Sequence, residues 1–281
     1  MEFRVLGPIS AMDDGIEYLP TAPKQRHLLA LLLLHANLPV STEICSQELW
    51  ENDPPPSALP TLQTYILQIR RSLARSPSVR SLKSARQKLV TGSRSYRIVT
   101  EPEALDLTRF NRLLQEGRVA QRNGDDRAVS RTFRAALSLW RGEALADVTP
   151  GPHLRERVNS LAETRLGMME QCFEAELRLG LHHHLLSELG ALSARHPLNE
   201  NLTAQYMLAL YRSSRQVEAL EAFHRLRRTL DEELGIEPCL RVRLLHEAIL
   251  TGDPRLDTDL VDGLTPGRER TAAVSVTRPT G

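Results

Sequence analysis

The chain has 281 residues, 41% of them apolar but only 4% aromatic, a length for two ordinary domains and a leucine-rich balance that favours helical packing over a β-sandwich. Its cysteines, Cys45, Cys172 and Cys239, are odd in number and form no Cys-x-x-Cys pair. That supports neither a disulfide framework nor a zinc knuckle and fits a reducing compartment. The net charge of +1 is unevenly spread: residues 1–53 are net −5 and residues 101–281 net −3, whereas Pro54–Thr100 holds nine Lys or Arg and no Asp or Glu.

The opening MEFRVLGPIS has no basic region leading into a long apolar stretch, so it does not read as a signal peptide. Phe3–Leu6 and Ile16–Leu19 alternate in polarity around the turn-like Asp13-Asp14-Gly15, which predicts a small antiparallel sheet. Pro23 suits the first turn of a helix that carries Leu28, Leu29, Leu31, Leu32 and Leu33 and stops near Asn37-Leu38-Pro39. The apolar block Leu28–Leu34 is too short to cross a bilayer, and the expected location is the cytoplasm, with no membrane partner. Ser41-Thr42-Glu43 offers caps for a second helix through Leu49 and Trp50, ended by Pro54–Pro56. A third helix is predicted from about Pro60 to Arg75. Lys88–Thr91, Gly92–Ser95 and Tyr96–Val99 then read as strand, turn and strand.

That order, sheet, three helices and basic hairpin, is the layout of a winged helix-turn-helix. After an acidic linker, residues 101–104, the pattern turns helical throughout 105–252: Leu107–Arg122, Asp126–Trp140, Leu154–Leu179, His183–Arg195, Glu200–Ser213, Gln216–Leu234 and Leu240–Leu250. Gly124, Phe133 and Ala136 share their spacing with Gly180, Leu189 and Leu192, and with Ser214, Phe223 and Leu226. The last two sets are offset by 34 residues, the tetratricopeptide period. Residues 253–281 lack aromatics and read as a disordered tail. The fold expected is therefore mainly α: a winged helix-turn-helix over 1–100 with a small β-sheet and wing, then an all-α tetratricopeptide-like domain.

The third helix carries the functional reading. Leu62, Ile66, Ile69 and Leu73 form one stripe that must face the core. The opposite side then presents Thr64, Leu67, Gln68, Arg71 and Arg75, with Thr61 at the N-terminal end, Gln63 and Arg70 on one flank and Tyr65 on the other. Thr, Gln and Arg can meet base edges and phosphates, and no carboxylate is present to repel the backbone. Arg94 at the hairpin tip, with Arg97 behind it, suits a minor groove or a phosphate. Tyr96 either closes the core beneath the wing or donates its hydroxyl to a phosphate. Lys24 and Arg26 open the first long helix and can grip the DNA backbone there. Trp50 is a core residue or a phosphate donor through its indole N–H.

At these residues the sequence resembles the Streptomyces antibiotic regulatory protein family. PPPSALPTLQTYILQIRRSL looks like the family's recognition-helix region, and Pro23–Asn37 like its leading helix. The winged domain is similar to that of the OmpR and PhoB response regulators, without a receiver domain. Ser138–Val148 resembles the start of the family's bacterial transcriptional activation domain, and His196–Pro238 its signature region. The resemblance covers residues 3–250 and implies binding to promoter direct repeats beside the −35 element by more than one protomer. It also implies recruitment of RNA polymerase holoenzyme at biosynthetic clusters for secondary metabolites. Its groove contacts match Thr64, Leu67, Gln68 and Arg70 here, and its phosphate contacts match Trp50 and Thr61. Leu67 and Gln68 stand where relatives often carry a small polar residue and an arginine, and Ser95-Tyr96 replaces a usual Gly-Tyr pair.

No Gly-x-x-x-x-Gly-Lys phosphate loop, His-Glu-x-x-His or Gly-x-Ser-x-Gly occurs, so neither catalysis nor a cofactor is expected. His182-His183-His184 would point in three directions on a helix, and a polar interhelical turn is expected there in place of a metal site. The expected function is a sequence-specific DNA-binding activator. The competing reading is a tetratricopeptide adaptor whose basic N-terminal domain contacts protein or RNA.

Overall fold

The computed structural model describes residues 1–51 and 53–257. The chain packs as two compact units, Met1–Cys172 and Phe173–Gly281.

The first unit opens with β1 (Glu2–Arg4), β2 (Ser10–Asp13) and β3 (Ile16–Glu17) in an antiparallel sheet of that order. The turn between β2 and β3 is Asp14-Gly15, with φ of 49° and 78°. A two-residue hairpin turn needs this left-handed pair, which Asp tolerates and Gly adopts freely. The middle strand β2 was not evident from polarity, because Ser-Ala-Met-Asp does not alternate.

Helix α1 (Pro23–Leu34) is buried on every side from His27 to Leu34, as its unbroken leucine run requires. It packs against α2 (Thr42–Trp50), α3 (Ala58–Ala74) and the hairpin strand β6 (Ser95–Ile98). Ser41 caps α2 by accepting from the Ile44 N–H at 3.1 Å. The two residues Val40–Ser41 form β4, giving a second sheet of order β4-β6-β5 with β5 at Leu89–Gly92. The α3 residues buried are Leu62, Ile66, Ile69 and Leu73, the stripe that the spacing predicts.

A further helix, α4 (Leu82–Lys88), stands between α3 and the wing, where no element was foreseen. Ser81 caps it by accepting from the Ser84 N–H at 3.1 Å. The signal was a Ser cap followed by straight-chain residues, too short to show a period. Pro102–Ala104, read as a linker, is one 3-10 turn. Next come α5 (Asp106–Arg122), α6 (Asp126–Leu137) and the 27-residue α7 (Pro152–Arg178). Helix α6 stops short of Trp140. Gly117 of α5 touches α6 so closely that a Cβ there would lie 2.1 Å from the Phe133 ring.

Four carboxylates tie the N-terminal sheet and helices to residues 105–154 of the same unit. Arg109 donates to Glu2 at 2.5 Å. Asp106 accepts from the Val5 and Leu6 N–H groups at 2.9–3.0 Å. Asp147 accepts from the Ile9 N–H at 2.7 Å and pairs with Arg26. Glu48 accepts from His27 and from the backbone at the start of α7.

In the second unit, α8 (His182–Arg195), α9 (Glu200–Arg212), α10 (Gln216–Leu234) and α11 (Leu240–Thr251) follow one another. His182–His184 form the first turn of α8, so the interhelical turn lies before them. The segment read as the start of a disordered tail forms a 3-10 turn at Pro254–Leu256, with Leu256 buried and its carbonyl accepting from Arg212 at 2.8 Å. The rest of that tail, 258–281, lies outside the described residues. No helix among the described residues is long and apolar enough to cross a membrane.

The sequence repeat has a backbone counterpart. Gly124, Gly180 and Ser214 each precede the second helix of a pair, and all three are left-handed, with φ of 73°, 76° and 60°. Phe133, Leu189 and Phe223 are each buried in that second helix. Ser214 pays the steric cost that the two glycines avoid, about 1–2 kcal/mol for an L residue. Ser214→Gly should therefore raise stability by about 1 kcal/mol, the gain being trimmed by extra freedom in the unfolded chain. Urea unfolding measures it, and a lowered midpoint would contradict the strain.

Candidate DNA-binding surface

The candidate surface is the outer side of α3, α4 and the β5–β6 wing. Burying the Leu62/Ile66/Ile69/Leu73 stripe leaves Gln63, Thr64, Arg71 and Arg75 exposed, with Thr61, Leu67 and Gln68 half-buried beside them. Thr64 turns its hydroxyl back to the Pro60 carbonyl at 3.0 Å. Among the described residues, neither Arg71 nor Arg75 makes an ion pair.

The wing is a hairpin in which Gly92 pairs with Ser95 and Leu89 with Ile98. Its two-residue tip is Ser93-Arg94, with Arg94 left-handed at φ 54° and exposed. The Arg94 carbonyl accepts from the Thr42 N–H at 3.0 Å, which ties the tip to the start of α2. Arg97 is also exposed. Tyr96 is 5% exposed, its ring in the core beneath the wing.

Arg70 and Arg26 are held by the protein itself, and Lys24 is held through one of its three N–H groups. Arg70 donates through Nε and Nη2 to the Leu89 carbonyl at 2.9 and 2.5 Å, and through Nη2 to Thr91 Oγ1 at 2.8 Å. Burial, then the neighbouring Arg86 cation, lower the pKa of its guanidinium. Arg26 pairs with Asp147. Lys24 donates to the Leu49 carbonyl at the end of α2 while its side chain stays exposed. Trp50 is half-buried and stacks on Tyr65, ring centroids 6.4 Å apart.

The sequence reading missed Lys83 and Arg86, both exposed on α4. The acid-free segment contained them, but without α4 nothing placed them beside α3. Together with Arg71, Arg75, Arg94 and Arg97 they make a surface of one sign, which suits a polyanion. Among the described residues no group of three or more His, Cys, Asp or Glu could hold a metal ion.

A cleft of about 530 Å³ lies at the start of α1 and the end of α2, lined by Lys24, Trp50, Glu51, Asp53, Asp147 and Gly151 among others. Its lining is mixed in sign, with Lys24 and His27 beside Glu48, Glu51, Asp53 and Asp147.

Comparison with known proteins places this surface in context. Residues 105–250 match the model of the bacterial transcriptional activator domain. The chain is 44% identical to Regulatory protein DnrI of Streptomyces peucetius over 276 residues, 98% of this chain and 99% of that one. It is 39% identical to Regulatory protein AfsR of Streptomyces griseus over 257 residues, 91% of this chain but only 25% of AfsR. The solved structure of Mycobacterium tuberculosis EmbR in complex with a low-affinity phosphopeptide superposes with a TM-score of 0.81 at 32% identity. That match covers 89% of this chain and 65% of EmbR.

Proposed function

Since the chain belongs to the Streptomyces antibiotic regulatory protein family of transcriptional regulators, we propose that it activates promoters by binding DNA through α3 and the wing. In this reading α3 enters the major groove, with Thr64, Leu67 and Gln68 toward base edges and Arg71 and Arg75 toward the groove wall. Arg94 and Arg97 meet the adjacent backbone, and Lys24, Trp50 and Thr61 grip phosphates on the other side. Residues 1–100 supply the DNA contact and 105–252 the activation surface. Protomers associate on direct repeats near the −35 element, and the helical repeats recruit RNA polymerase holoenzyme to a secondary-metabolite cluster, in the cytoplasm where the chromosome is.

One observation carries the reading: the exposed outer side of α3, α4 and the wing is cationic and free of carboxylates from Pro54 to Thr100. An adaptor surface gains nothing from excluding acids so completely, whereas a phosphate backbone does.

The test uses the full chain and DNA selected by it from a random pool. Each phosphate neutralised contributes about −0.9 to the slope of log K against log salt. With Lys24, Arg71, Arg75, Arg94 and Arg97 each meeting one phosphate, the expected slope is about −4 to −5. A slope near zero, or a selected pool with no repeated element, would overturn the reading.

A further inference from the structure

The resemblance assigns Arg70 to the groove, yet the structure gives its donors to the protein. Building on the DNA-binding reading, we propose that Arg70 is a positioning residue: it sets the wing against the recognition helix and does not itself read a base.

The donor inventory supports this. A guanidinium has five N–H groups: one on Nε and two on each terminal nitrogen. Nε–H and one Nη2–H go to the Leu89 carbonyl, at 2.9 and 2.5 Å, and the other Nη2–H goes to Thr91 Oγ1 at 2.8 Å. Both remaining hydrogens are on Nη1. Reading guanine bidentately takes parallel N–H groups from two different nitrogens; the Nε/Nη2 edge is closed on Leu89, and the Nη1/Nη2 edge has its Nη2 hydrogen on Thr91.

The partners also have the right places. Leu89 is at once the C-cap of α4 and the first residue of β5. A cation on that carbonyl satisfies the helix end and complements its dipole. Thr91 lies two residues further along β5, just before the Gly92–Ser95 pair that closes the hairpin, and pairs with Tyr96 of β6. One side chain thus joins α3 to the end of α4 and to the strand that carries the wing. The tip is held on one side by the bond from the Thr42 N–H to the Arg94 carbonyl and on the other by β5, so the reach of the exposed Arg94 side chain toward DNA depends in part on where β5 is held.

The experiment is a double-mutant cycle on the full chain with R70A, R94A and R70A/R94A, measured against the selected DNA and against single-base variants of it. If Arg70 acts through the wing, R70A and R94A each weaken binding by roughly tenfold, and the double variant is little weaker than either alone. Base preference stays unchanged at every position, and R70K, which cannot span both acceptors as a planar fork, restores only part of the loss. Hydrogen exchange without DNA supplies an independent reading: R70A should speed exchange in β5 and at Ser93-Arg94 while the α3 interior stays protected.

Additive losses with preference relaxed at one base pair would make Arg70 a reader and overturn the proposal. Unchanged exchange in the wing would overturn it as well, whatever the binding data. If R70A speeds wing exchange but neither R94A nor R71A/R75A alters DNA affinity, it is the DNA-binding reading that fails, and Arg70's role in recognition with it.

Discussion

Glu48→Ala should lose about 3–5 kcal/mol of stability, as expected when one partner of a buried charged network is removed. Glu48 is 1% exposed. Its Oε1 accepts from His27 Nε2 at 2.7 Å and from the Gly151 N–H at 2.8 Å. Its Oε2 accepts from the N–H groups of His153 at 2.8 Å and Leu154 at 3.1 Å. Helix α7 begins at Pro152, so the carboxylate stands at its N-terminus and satisfies donors that have no partner within the helix. Alanine leaves those donors buried and unpaired. Gly151 permits the approach, because a Cβ there would lie 2.2 Å from the Glu48 carbonyl oxygen. Urea unfolding followed by circular dichroism checks the figure. Glu48→Gln, which keeps one accepting oxygen, should fall between the two. A loss under about 1 kcal/mol for the alanine variant would mean that water replaces the carboxylate, and the junction would lose its importance.

The same network gives a signed pH dependence. Burial pushes the Glu48 carboxyl up, but the bond to His27 and the N–H groups of Leu154 and His153 outweigh it, and the pKa is lowered below 4.5. Its contribution is therefore present above the unfolded-state value and lost as pH falls through the folded one. Asp106 has the opposite sign. Burial raises its pKa above 3.8 despite the Leu6 and Val5 N–H groups, so its contribution is full below the unfolded value and lost as pH rises through the raised one. Acidification below about 4.5 should destabilise the native chain through Glu48, and E48A should show a flatter acid limb.

Arg71→Ala with Arg75→Ala should raise the Kd for promoter DNA roughly a hundredfold, about 3 kcal/mol for two contacts of ordinary strength. The salt slope should fall by about 2. Both side chains are exposed and lie opposite the buried stripe, so the unfolding free energy should change by less than about 0.5 kcal/mol. Affinity and stability are then read separately on one protein. An unchanged Kd with an intact fold would remove α3 as the DNA contact.

What could be read in advance was what depends on local period. The α3 stripe, the leucine helix, the Asp14-Gly15 turn and the register of Gly124, Gly180 and Ser214 each follow from spacing within one or two elements. What could not be read depends on partners far along the chain. Glu48 looks like an ordinary polar residue on a short helix, and it is buried because donors about a hundred residues later converge on it. Arg26 and Arg70 looked free for phosphate and base, and Asp147 and Leu89 claim them. Short elements escaped for a different reason: β2, β4 and α4 are too brief for a period to emerge.

The four carboxylate ties also bear on how the chain is made. The backbone of Val5, Leu6 and Ile9 is completed by Asp106 and Asp147, and α2 by the first turn of α7. Such contacts join residues a hundred or more positions apart, and pairings of that separation form late because the intervening chain must be closed first. When the ribosome has delivered residues 1–100, Val5, Leu6, Ile9 and Glu48 still lack these partners. A nascent chain halted before Leu154 would carry buried-side donors and acceptors still facing water, and vectorial synthesis leaves that half-built state open to chaperones for as long as α7 remains unmade.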